Sequence, residues 1–126
     1  MDNDAVITQL QALIDQLTDR RQELQVLQDN PGGPLVDRMN RQAQVYERLS
    51  SINVRIYNLQ LRLHERQLAA QLGTAVPALD PTKVAVLTQA LNDVSQSIVA
   101  TGDFQAAIAL ASTISDAASK AQSAVA

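Results

Sequence analysis

Apolar positions near the start of the chain recur at alternating steps of four and three: Val6, Leu10, Leu13, Leu17, then Leu24 and Leu27, with Arg20 holding the missing step. A second run keeps the same rhythm through Val45, Leu49, Ile52, Ile56, Leu59 and Leu63, beginning one step earlier at Gln42. This is a heptad seam in each segment, the pattern of two helices packed along one another. Breakers cluster between the periodic segments. Pro31-Gly32-Gly33-Pro34 forms one group, Gly73, Pro77 and Pro81 form a second, and Gly102 stands alone. Proline stops helix propagation and glycine admits positive φ, so these clusters predict four helices over about 4–29, 35–72, 81–100 and 104–124. Local signals agree. Gly73 follows Leu72 as a C-terminal glycine, Asp80-Pro81 reads as an N-cap with Pro at the first helical position, and Asp103 reads as another N-cap.

The expected fold is all-α. The short Asn30–Pro34 turn makes the first two helices a long antiparallel, coiled-coil-like hairpin, and residues 81–126 supply a shorter helical pair after a 74–80 linker. The whole reads as a single helical domain, four-helix-bundle-like, with a C-terminal tail from Ser119 that is too weakly patterned to resist fraying. Arg20 and Gln42 are expected near one another across the hairpin, fixing its register. At ~1.5 Å per residue the first helix spans roughly 39 Å and the second roughly 57 Å, so the last third of the second should overhang. That third carries another apolar stripe: Val54, Tyr57, Leu61, His64, Leu68 and Leu72. A helix apolar on two sides needs cover on both, and the shorter pair is expected to dock on this stripe. A homodimer is the competing cover. Helix 3 offers Val84, Leu87, Leu91, Val94 and Ile98, and helix 4 offers Phe104, Ile108, Ala111, Ile114, Ala118 and Ala121. Most alanines lie after Gly73, which permits close helix approach there.

Composition narrows the function. The 126 residues include no Cys and one His, with net charge −3 and two Tyr and one Phe as the whole aromatic content. Thiol catalysis, Cys-zinc sites and disulfide frameworks are excluded, and the scarcity of aromatics disfavours base-stacking nucleic-acid platforms. The acidic start MDNDAVITQL lacks the basic, then apolar, character of a signal peptide, and no apolar run is long enough to span a membrane. A cytoplasmic location with no membrane partner is the resulting expectation.

The most regular polar feature is a row of arginines seven apart: Arg41, Arg48, Arg55 and Arg62. With Arg38 and Arg66 added and only Glu47 and Glu65 against them, residues 38–66 carry +4 inside an acidic chain. All four flank the seam on one side, opposite Gln9, Gln16 and Glu23 of the first helix, with Glu23 and Arg41 as the expected pair. Guanidiniums ~10 Å apart on a helix suit an acidic protein partner, or phosphates. The competing reading is that their stems cover the seam while their heads stay in water. Nucleic acid is the weaker partner because the chain as a whole is acidic.

Other candidates are poorer. Asp15, Asp19 and Glu23 stack on one face but are interspersed with Arg20 and Arg21, and no second acidic helix completes a carboxylate cage. His64 has neither a carboxylate nor a second His at helical spacing, and is expected to pack at the core edge. Ser95, Ser97, Ser112, Ser115 and Ser119 include no nucleophile elbow, and no phosphate-binding or calcium loop occurs. The stretch Gly102-Asp103-Phe104-Gln105-Ala106-Ala107-Ile108-Ala109-Leu110-Ala111 resembles the turn and second helix of a tetratricopeptide repeat. With no second copy, the resemblance implies a tight helical hairpin rather than a repeat array. The expectation is a non-enzymatic interaction protein (an adaptor, small chaperone or assembly subunit) with no cofactor and no metal. Its partner-binding candidates are Arg41, Arg48, Arg55 and Arg62, and the alternative is anionic-ligand or nucleic-acid binding along the same edge.

Overall fold

The computed structural model describes residues 2–99 and 103–126. Four helices pack against one another: α1 Asn3–Asp29, α2 Leu35–Leu72, α3 Pro81–Gln96 and α4 Phe104–Ala124. Their ends follow from local chemistry. The carboxylates of Asp2, Asp80 and Asp103 accept the backbone N–H groups of Ala5, Lys83 and Gln105, satisfying donors that a first helical turn leaves open. Gly73 closes α2 at φ 67°, and Thr74 N–H reaches back to the Ala69 carbonyl at 2.9 Å.

α3 stops at Gln96 rather than continuing toward 100. Ser97 Oγ donates to the Asp93 carbonyl at 2.6 Å, offering the backbone a local alternative to the next helical turn. Val99 then turns inward, buried, with its N–H held by Glu23 Oε2 at 3.0 Å. The remainder of the expected third helix, and the Gly102 turn of the repeat-like stretch, lie outside the described residues. At the other end, α4 runs to Ala124 through the segment expected to fray. Ala121, Ala124 and Val125 are buried there, so tertiary packing holds what propensity and pattern leave weak.

Cross-helix bonds fix the topology. Arg21 bonds Asn53, the Asn3 side chain meets Arg66, and Gln42 donates to the Gln28 carbonyl, so α1 and α2 are antiparallel. Ser51 pairs with Ser115 and Asn58 with Gln122, so α2 and α4 run parallel. Thr88 pairs with Gln9, and Val99 with Glu23, so α1 and α3 run parallel as well. The second hairpin is therefore laid over the first, α3 on α1 and α4 on α2, while α2 and α3 do not pack against each other. Linker 74–80 makes the diagonal crossing from α2 to α3 and buries Leu79 on the way. One apolar cluster joins all four helices, including Leu10, Leu17, Ile52, Leu59, Leu87, Val94, Ala111 and Ile114.

Three expectations are corrected. First, the helical pair does not dock on the second stripe. The seams of α1 and α2 face α3 and α4 as well as each other, so one stripe per helix serves the whole core. Second, α1 is centred on α2 rather than aligned with its start. Asn3 lies level with Arg66 and Gln28 with Gln42, which divides the overhang of α2 between its two ends. Third, that centring puts Arg20 at the level of Ile52 rather than Gln42, and Arg20 bonds within α1, to Glu23 and Gln16.

Candidate functional site

The arginine edge of α2 points toward α4. Arg41 Nη1 donates to the Pro31 carbonyl at 3.2 Å, and its guanidinium lies 4.9 Å from the Phe104 ring centroid, a cation–π contact tying the first turn to the start of α4. The same group fills the space beside Gly33, where a Cβ would sit 2.9 Å from it, so the positive-φ glycine of this turn also makes room. Arg55 reaches Gln122 of α4, Arg48 lies 3.8 Å from Glu47, and Arg62 lies 3.4 Å from Glu65. All four are half-buried, and the Nε atoms of Arg48 and Arg55 are covered without a protein partner. The Nη ends of Arg41 and Arg55 are thus engaged by the first turn and by α4, while those of Arg48 and Arg62 face glutamates of α2. The expected Glu23–Arg41 pair does not form. Glu23 instead holds Arg20 at 2.6 Å and the Val99 N–H, bridging α1 to the segment after α3.

Arg66 behaves differently. It is 8% exposed, donates to Asn3 Oδ1 at 3.1 Å, and accepts the Asn3 amide at its own carbonyl. Burial lowers the pKa of its guanidinium from the usual arginine range. Sequence reading counted Arg66 only toward surface charge. The signal for its burial was the seam itself, which reaches position 66 at the next step of three after Leu63.

Asp15 and Asp19 are exposed, and among the described residues no group of three or more potential metal ligands comes together. His64 is exposed rather than packed at the core edge, because the helices expected to cover it lie elsewhere. A groove of about 700 Å³ between α3 and α4 is lined by Pro81, Ala85, Val86, Ala90, Ala117 and Lys120. Thr82, Gln89 and Asp93 also line it, and Gln89 Nε2 already donates to Asp93 Oδ1 at 2.7 Å. Among the described residues, no helix is long and apolar enough to cross a membrane.

The most extensive unmatched surface is the outer face of α2. Val54, Tyr57, Leu61, Leu68 and Leu72 are all exposed, Tyr57 at 61% and Leu72 at 71%. The stripe continues backward through Ser50, Tyr46, Ala43, Met39 and Val36 at steps of three and four, with Met39 78% exposed. This half was missed because Ser50 and Ala43 weaken its hydrophobicity, although the spacing is unbroken. Asn53 turns toward α1 through Arg21, and Asn58 turns toward α4 through Gln122. The stripe lies between these two boundaries, on the side facing away from both neighbours.

Comparison with protein-family models, with curated proteins and with solved structures finds no match for this chain.

Proposed function

We propose that the protein is a non-enzymatic helical interaction protein, an adaptor, small chaperone or assembly subunit, that engages its partner through the outer face of α2. The observation carrying this reading is the exposed stripe from Met39 to Leu72, which runs ~50 Å along one helix. Scattered exposed apolar residues need no explanation, but a continuous one-sided row of this length is characteristic of a surface that another chain covers. The bundle supports it mechanically. α2 is held by α1 on one side and α4 on the other, so its outer face is presented on a rigid element and costs little ordering entropy to bind.

Anion binding along Arg41, Arg48, Arg55 and Arg62 is the weaker reading. Each guanidinium already has a hydrogen-bond, ion-pair or ring partner within the chain, and two of the Nε atoms are covered. A phosphate backbone would have to compete with these contacts for its donors. The arginines are better suited to holding α4 against α2, and through it the shape of the presented face.

A photo-crosslinking amino acid placed at Tyr57 tests the reading in the cells that make the protein, with the same group at exposed Gln89 of α3 as control. Discrete adducts from position 57 and none from position 89 are expected. Equal labelling at both positions, or none at 57, would contradict it.

A further inference from the structure

We infer that the occupant of the α2 face is a second copy of this chain, packed antiparallel about a two-fold axis at the level of Arg55 and Ile56. This rests on the reading of that face as an interaction surface and specifies its partner. Placing the axis there puts four pairs of stripe positions opposite one another and brings Tyr46 within one residue of His64, with Val36 left beyond the paired length. Met39 comes opposite Leu72, Ala43 opposite Leu68, Ser50 opposite Leu61, and Val54 opposite Tyr57. The two smallest residues of the row thus receive two of its leucines, the large-against-small alternation that close helix packing requires. A parallel pair has no such relief, since Leu61 would meet Leu61 and Ala43 would meet Ala43.

The polar positions also fit. On the flank away from Glu47, His64 comes within one residue of Tyr46, so imidazole and phenol can pair at two symmetric places. Glu47 and Glu65 share one flank of the antiparallel pair, and each already carries an arginine of its own chain, Arg48 and Arg62 respectively. Their mutual repulsion is therefore reduced before the copies meet. Size is adequate as well. A helix face ~50 Å long and about 12 Å wide, the diameter of a helix with its side chains, covers roughly 600 Å² on each copy, so the pair buries about 1,200 Å², at the lower end of the range of stable specific interfaces. Isologous two-fold pairing is also the commonest closed arrangement for one chain with itself.

The absence of native cysteine makes the register directly testable in the full-length protein. Ala43→Cys and Leu68→Cys are prepared separately; both positions are exposed, so neither change disturbs the core. Under mild oxidation each variant alone should stay uncrosslinked, while an equimolar mixture should give a disulfide-linked pair. Adding Leu61→Glu to both should abolish the product and weaken self-association about a hundredfold, with helical circular dichroism unchanged. Self-crosslinking of Ala43→Cys as efficient as that of the mixture would overturn the antiparallel register. A chain that remains monomeric at high concentration would overturn the second copy as occupant. In that event, a heterologous adduct from Tyr57 would leave the interaction reading standing, and no adduct would remove both.

Discussion

Glu23 joins α1 to the segment after α3 with one carboxylate. One oxygen neutralises Arg20, which stands at a seam position and is 9% exposed, and the other accepts the Val99 N–H beyond the end of α3. Glu23→Gln should therefore cost about 2 kcal/mol in urea unfolding, because it leaves a buried guanidinium without its counter-charge. A loss below about 0.5 kcal/mol would show that the contact contributes no more than an exposed pair. Arg66 makes a contrasting case. Burial depresses the pKa of a cation, so the folded state holds its proton less tightly than the unfolded chain does. The sign is that burying this charge opposes folding, uniformly across working pH, since arginine stays protonated throughout. Arg66→Met should then leave stability within about 1 kcal/mol of the parent, flat with pH, and a pH-dependent loss would contradict this. The sequence marks Arg20 as an irregular member of a seam, and Arg66 only as part of the basic charge of α2. It did not show their partners, because Val99 and Asn3 are brought near by the fold and not by spacing.

At the level of elements, periodicity and breakers gave four helices and most of their ends, while α3 stops at Gln96, short of the expected 100. Aspartate caps, Pro81 and Gly73 are local signals, and they act locally in the structure too. The docking of one hairpin on the other was misread for a physical reason. Two-helix seams and four-helix cores share the same spacing, and an apolar stripe does not state how many neighbours it faces. The informative feature was the small side chains of α4. Ala107, Ala111, Ala118 and Ala121 are buried, and side chains this small let α4 settle closely into the bundle. Ala111→Leu should consequently destabilise by about 2 kcal/mol through overpacking, whereas Ala109→Leu on the exposed side of the same helix should be near neutral. Thermal unfolding of the two variants checks the pair. Equal effects would mean that α4 is not closely packed.

On the scale of the whole molecule, three helices bury one stripe each, while α2 buries one stripe and exposes another. The exposed stripe was half legible in the sequence: its C-terminal part is plainly apolar, and its N-terminal part is carried by spacing alone. What spacing could not decide was the side from which α3 and α4 approach. Because α4 takes the arginine side of α2 and α3 packs on α1, the stripe is left outward on α2. Sedimentation equilibrium of the full chain across a wide concentration range, beside a Tyr57→Glu/Leu61→Glu variant, tests this most directly. The account predicts a dimer for the parent and a monomer of unchanged helicity for the variant; a parent that stays monomeric, or a variant that dimerises equally, would contradict it.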